Sequence, residues 1–184
     1  MISAAAPGQF PPDEGVEVAF AGRSNAGKSS AINAITQRNA LARTSKTPGR
    51  TQLLNFFELE PARRIVDLPG YGYADVPDAE RRKWAPLIGA LQGRQSLRGL
   101  FLIVDSRRGV SQADADLMDW AGERAVHVLL AKADKLNRRE GAEALRNAAD
   151  LLGERATVQL FSAHGKTGVE QAQHRLIEWF THKL

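Results

Sequence analysis

Cysteine is absent from the 184 residues. That excludes a disulfide framework and thiolate metal sites, and it fits a reducing compartment. Long apolar runs are missing as well. The longest strongly apolar stretch, residues 100–104, is far short of the ~20 residues that span a bilayer. The opening residues, MISAAAPGQF, lack a basic region followed by an apolar stretch, so no secretory signal is expected. A bacterial-type cytoplasmic location with no membrane association is the resulting expectation. Aromatic residues are sparse at 7%, and neither an aromatic platform for single-stranded nucleic acid nor a zinc-finger spacing occurs. Internal repeats and low-complexity tracts are also missing.

What remains is an ordinary globular composition, 43% hydrophobic and 25% charged, in a chain long enough for one well-cored domain. The net charge of +4 is mildly basic and permits a polyanionic partner without demanding one. Basic residues gather at Arg81, Arg82 and Lys83, at Arg107 and Arg108, and at Arg138 and Arg139. Solvated faces account for any one such cluster taken alone.

Residues 1–15 are rich in Ala, Pro and Gly and read as a flexible N-terminal arm. Residues 16–184 read as a single domain. Apolar β-like runs fall at 16–21, 53–59, 64–68, 100–104, 126–130 and 158–161, several of them nearly continuous, as in strands covered on both faces. Helical stripes lie between them: 31–36; Trp84, Leu87, Ile88 and Leu91; Leu117, Trp120 and Ala121; Leu145, Ala148, Ala149 and Leu152; Val169, Ala172, Leu176 and Phe180. Pro86 should kink the second of these or delay its start. The 53–59 and 64–68 runs are joined too tightly for a crossover and should form an antiparallel hairpin. The expected architecture is a three-layer α/β fold with a mostly parallel six-stranded sheet and one antiparallel edge strand.

Directly behind the first run stands Gly22-Arg23-Ser24-Asn25-Ala26-Gly27-Lys28-Ser29-Ser30. Gly, four residues, Gly, Lys, Ser between a strand and a helix is the phosphate-binding loop pattern. Its glycines let the backbone approach an anion, and successive N–H groups and the helix N-terminus then face the phosphates. Lys28 would reach the terminal phosphates, and the Ser29 hydroxyl would coordinate Mg2+. Asp67-Leu68-Pro69-Gly70 follows the third run. Its acid can hold the metal through a water, and the Gly70 N–H can meet the terminal phosphate. By itself this tetrapeptide is only a turn. Lys132-Ala133-Asp134 follows the fifth run. A carboxylate there can accept from guanine N1–H and N2–H2, a donor pair that adenine lacks. Phe161-Ser162-Ala163 follows the sixth, where a backbone N–H can meet guanine O6. That tripeptide is nearly worthless alone. The ordered set, each at a strand's carboxyl end, is far more specific than any member.

This order resembles the translation-factor-related GTPases. GRSNAGKSS, the stretch TSKTPGRTQLLNFF from Thr44, DLPGYGYA from Asp67, and the Arg81-Arg82-Lys83-Trp84 helix resemble, more narrowly, the EngB (YihA/YsxC) family of bacterial GTPases implicated in assembly of the large ribosomal subunit. The similarity runs from about Pro12 to the C-terminus. It implies a P-loop GTPase fold, binding of GTP and GDP, and a partner in large-subunit ribosomal RNA or a pre-ribosomal particle. It implies that Gly22 to Ser30 hold the phosphates and that Gly49-Arg50-Thr51-Gln52-Leu53 form a first switch, with Thr51 as the second protein ligand of Mg2+ beside Ser29. Asp67 to Gly70 would open a second switch, and Ala131, Lys132, Ala133, Asp134, Phe161, Ser162 and Ala163 would hold the base. Arg81, Arg82 and Lys83 follow the second switch directly and are the candidate nucleotide-gated contact with ribosomal RNA.

One position departs from the family pattern. Residue 131 is Ala, where the family pattern has Thr or Asn tying the base loop to the phosphate loop. The missing bond is worth about 1 kcal/mol and predicts weaker affinity with guanine preference retained. Tyr71 stands where many Ras-like GTPases place a water-orienting glutamine, so hydrolysis should be slow. Lys28, Thr51, Gly70 and Asn25 are the residues expected to act on the terminal phosphate. Asn25 either holds a potassium ion (K+) against the phosphates or simply stabilises the loop. Two functional classes stay open: a GTPase timed by slow hydrolysis, and a nucleotide-gated RNA-binding module. A phosphate-loop ATPase or kinase is disfavoured, because no arginine-rich lid is evident. A monomer is the default expectation.

Overall fold

The computed structural model describes residues 1–42, 53–71 and 78–181, with side chains for all of these except 78–84. Its elements are β1 (Ile2–Ala4), β2 (Val16–Gly22), α1 (Lys28–Thr36), β3 (Leu54–Glu60), β4 (Arg63–Asp67), α2 (Asp78–Gln92), β5 (Leu97–Asp105), α3 (Gln112–Ala121), β6 (Ala125–Ala131), α4 (Arg138–Leu152), β7 (Thr157–Leu160) and α5 (Val169–Thr181). The seven strands lie in the order β1-β3-β4-β2-β5-β6-β7. From β4 to β7 each pair is parallel. The β3–β4 hairpin is antiparallel, as its short turn requires. Pro86 lies within α2 rather than ahead of it.

The central strands are apolar on both sides because both sides are covered. On β5, Leu100, Leu102 and Val104 face the layer that includes Leu87 and Leu91 of α2, Met118 of α3 and Leu152 of α4. Phe101 and Ile103 face the opposite layer, with Ile32 and Ile35 of α1 and Leu176 of α5. The three layers leave all parallel strands with their carboxyl ends at one rim, where ligands of such sheets bind.

The sheet has seven strands instead of six, and the N-terminal residues are not a loose arm. Ile2–Ala4 pairs antiparallel with β3, so β3 is not the edge. A three-residue strand with one buried side chain, Ala4, is too short to show a period. Beyond it the chain is tied down by partners distant in sequence. Arg94, 7% exposed, donates to the carbonyls of Pro11 and Pro12 at 3.0 Å. Its guanidinium also lies 5.7 Å from the ring centres of Phe10 and Phe56. Glu17 is fully buried and accepts from Arg94 at 2.6 Å and from Arg64 at 3.0 Å. Asp13 accepts from the Gln95 and Ser96 N–H groups, both at 2.9 Å. Burial raises the Asp13 pKa, but the Ser96 hydroxyl and N–H bonds outweigh it and leave the group at about 2.

His127 on β6 makes the fold sensitive to mild acid. It is 5% exposed, edge-on to Phe101 at 5.7 Å, with its ring nitrogens 2.6 Å from Thr157 Oγ1 and 2.9 Å from Gln159 Oε1. Burial lowers its pKa, against the opposing Gln159 bond. The unfolded chain therefore binds a proton that the folded chain resists. This contribution is complete above the ordinary value of about 6.5 and is lost as pH falls below it. Urea unfolding at pH 7.5 and 5.5 should show the parent losing on the order of 1 kcal/mol. His127→Gln should lack that part of the slope.

Candidate nucleotide site

Gly22 closes β2 against β5, where a Cβ would lie 2.8 Å from the Ile103 carbonyl oxygen. The chain then curls through two left-handed residues, Asn25 at φ 63° and Gly27 at φ 108°. Gly27 caps α1 without offering a side chain to its first turn. The N–H groups at a helix N-terminus are the ones that an anion satisfies. The loop closes with Ala26 N–H on the Arg23 carbonyl at 3.0 Å. Lys28 and Ser29 are half-buried in the first turn, while Asn25 and Ser30 are exposed.

The neighbouring strand β4 brings its terminal acid to this loop. Asp67 is paired in register with Phe20 of β2, is 9% exposed, and receives the ammonium of Lys28. Burial raises its pKa, and Lys28 opposes the rise. Past Leu68 and Pro69, Gly70 comes so near the phosphate loop that a Cβ would sit 3.4 Å from Ser24 Cα. The chemistry of Ser29 and Asp67 fits Mg2+, a hard cation that takes oxygen donors and relies on phosphate oxygens and water for the rest of its octahedron. Among the described residues, no cluster of three or more acidic or histidine side chains could hold a metal unaided.

At the other end of the rim, β6 ends at Ala131, which is 3% exposed and has no polar side chain to give. The tie expected there is made by the next residue. Lys132, at φ 61°, donates to the Asn25 carbonyl at 2.5 Å and to Asp105 Oδ2 at 2.9 Å. Its chain thus bridges the base loop and the phosphate loop. Ala133 N–H donates to the Phe161 carbonyl at 3.0 Å, which joins this loop to the one after β7. The Ser162 hydroxyl donates to Asp134 Oδ1 at 2.6 Å and accepts from Gly165 N–H at 2.8 Å. That bond from Ser162, ahead of the opposing effect of burial, holds the Asp134 carboxyl below its ordinary value and therefore charged. The Ser162 N–H is taken by the Thr167 carbonyl and the Phe161 N–H by the Leu130 carbonyl, both at 2.9 Å, and Ala163 beside them is half-buried.

The structure brings together three of the four sequence motifs with the fourth beside them: phosphate loop, Asp67 turn, Lys132–Asp134 and Phe161–Ala163. Gly49, Arg50, Thr51 and Gln52 lie outside the described residues, as do residues 72–77 and the side chains of Arg81, Arg82 and Lys83. Leu53 is half-buried just ahead of β3.

Two site residues escape the motif reading. Asp105, at the end of β5, is 7% exposed and accepts from Arg107 at 3.0 and 2.7 Å. Those bonds first, and then Lys132, hold its carboxyl well below the usual range against the opposing effect of burial. Its place after an apolar strand is the same signal that marks Asp67. Asp114 at the start of α3 is the other, and it accepts from the Tyr71 hydroxyl at 2.5 Å. No sequence signal links those two. Between them opens a cavity of about 410 Å³ lined by Arg23, Asn25, Asp105, Arg108, Asp114 and Lys132.

Fold and site are those of a phosphate-loop GTPase. Residues 17–132 match the family described as 50S ribosome-binding GTPase. The chain is 54% identical over 177 residues to the probable GTP-binding protein EngB of Nitrosococcus oceani, covering 93% of this chain and 88% of that one. It is 47% identical over 186 residues to its counterpart in Coxiella burnetii, covering 98% and 91%. The crystal structure of a probable GTP-binding protein EngB superimposes with a TM-score of 0.72 at 23% identity, over 91% of this chain and all of that one. The chain belongs to the EngB family of GTP-binding proteins.

Proposed function

We propose that this protein is a GTP-operated switch that hydrolyses GTP slowly and assists assembly of the large ribosomal subunit. The observation that carries the nucleotide reading is the bridge from Lys132 to Asn25 and Asp105, because it couples the guanine-reading loop to the phosphate loop. Asp134, kept charged by Ser162, accepts from guanine N1–H and N2–H2. Lys28 leaves Asp67 for the phosphates, and Asp67 then serves the metal side through a water. Mg2+ bound by Ser29, with Thr51 as the second protein oxygen, would neutralise charge on the terminal phosphates. The ribosomal reading is supported by the match to a 50S ribosome-binding family.

Slow hydrolysis follows from Tyr71. Its hydroxyl is committed to Asp114, so it does not orient a water. K+ beside Asn25 would supply positive charge, and the exposed Asn25 amide makes no hydrogen bond among the described residues. The same Tyr71 contact favours a second reading, in which GTP occupancy gates RNA binding and hydrolysis is incidental. In both readings Arg81, Arg82 and Lys83 face ribosomal RNA, and the protein acts as a cytoplasmic monomer.

Co-sedimentation with large ribosomal particles tests the proposal. Association should require a GTP analogue, exceed that with GDP, and fall steeply with salt, since each phosphate contact releases counterions. Turnover should be slow and faster in potassium than in sodium. Equal association in GDP and the GTP analogue would overturn the switch reading. Particle-stimulated turnover would favour the timed GTPase over the gated module.

A further inference from the structure

Tyr71 follows the Asp67–Gly70 turn directly and is fastened at three points. Ser24 N–H donates to the Tyr71 carbonyl at 3.0 Å, and Tyr71 N–H donates to the Gly22 carbonyl at 3.4 Å. These bonds lay the segment along the phosphate loop as a parallel bridge with Arg23. The third fastening is the phenol, which donates to Asp114 Oδ1 at 2.5 Å. Asp114 is a rigid anchor. It is 1% exposed, and its second oxygen accepts from Ser111 N–H at 2.7 Å and Ser111 Oγ at 2.6 Å.

A terminal phosphate shared by Lys28 and the Gly70 N–H needs space between Gly70 and Ser24. Here that space admits no more than a methyl group, since a Cβ added to Gly70 would already touch Ser24 Cα at 3.4 Å, and the backbone bridge at Tyr71 holds the two segments together. A diphosphate, lodged deeper in the loop, makes no such demand. We propose that the hydrogen bond from Tyr71 to Asp114 is a latch on the terminal-phosphate pocket that makes Tyr71 a determinant of preference for nucleoside diphosphate over triphosphate. This rests on the GTP reading above.

The phenol keeps its proton at working pH. Burial first, and the Asp114 carboxylate second, push the phenol well above its ordinary value, so it stays a donor. Its strength is moderate. Asp114 lines the 410 Å³ cavity beside the loop, so water can replace the phenol on the carboxylate once the latch opens. A ligand can shift such an equilibrium only by its differential affinity for the two states, and the latch is part of what a triphosphate must overcome.

The test is Tyr71→Phe, which removes one oxygen and keeps the ring. Equilibrium titration of both proteins with GDP and a non-hydrolysable GTP analogue, in magnesium buffer, gives the ratio of the two affinities. The variant should bind the analogue about tenfold tighter relative to GDP, the size of one charge-assisted hydrogen bond. GDP affinity should stay within about twofold, which also certifies a folded site. An unchanged ratio with intact GDP binding overturns the latch. Loss of both affinities also overturns it, because the phenol is then a strut and not a selector. A parent that binds neither nucleotide refutes the GTP reading itself.

Discussion

Lys28→Ala should weaken GTP binding by about a hundredfold or more, as read by titration with a fluorescent GTP analogue. The ammonium is the only lysine nitrogen of the described residues held at the Asp67 end of the site. Its loss removes charge-assisted bonds to the phosphates and leaves Asp67 buried and unpaired. Burial already raises the Asp67 pKa. Without Lys28 that carboxyl gains a proton more readily, which limits the damage to the fold. The expected signature is therefore a large loss of nucleotide affinity beside a modest loss of stability. A variant that binds GTP within a few-fold of the parent would show that Lys28 does not reach the phosphates.

Asp134→Asn should invert base preference. Guanine affinity should fall by a factor on the order of 10² to 10⁴, as sites built on buried hydrogen bonds discriminate. Xanthine nucleotides should gain. The Ser162 hydroxyl decides how the new amide sits. Its proton already points at Oδ1, because its lone pair accepts from Gly165 N–H. The amide oxygen will take that bond and turn the amide NH2 toward the base. That NH2 suits the xanthine 2-oxygen and repels the guanine 2-amino group. Competition of labelled GTP by GTP, xanthosine triphosphate and ATP measures the change. Continued preference for GTP over xanthosine triphosphate would remove Asp134 from base recognition.

The central strands and the motifs at their ends were legible because their signals are local. Val18 to Ala21 and Leu100 to Val104 are buried in the sheet's middle, and continuous apolar runs of that length announce strands covered on both faces. The phosphate loop is legible for a similar reason: Gly27 at φ 108° takes a conformation that glycine adopts cheaply, so the residue type records the backbone. Ile2–Ala4 was not legible. Its pairing with β3 spans some fifty residues of chain, and three residues carry no period. Nor was the anchoring of Pro11, Pro12 and Asp13 by Arg94 to Ser96, since nothing near Asp13 in sequence foretells its partners.

The candidate site divides the same way. Asp134 could be assigned to guanine from its tripeptide, but its hold by Ser162 could not. The absence of a polar side chain at Ala131 predicted a lost tie between loops. Lys132 supplies one instead, because the long side chain reaches back 107 residues to Asn25. Tyr71 could be read as a missing glutamine, yet its bond to Asp114 appears only when α3 is packed against β5 and β6.

Residue order alone thus settled the succession of the central strands and helices, the parallel core and the ligand class, because periodicity, glycine placement and strand-end motifs act over a few neighbouring residues. Folding alone chose which polar groups meet: Arg94 with Glu17, Lys132 with Asp105, Tyr71 with Asp114. Hydrogen bonds reach only about 3 Å, so partners tens of residues apart in the chain are paired by packing and by nothing written locally.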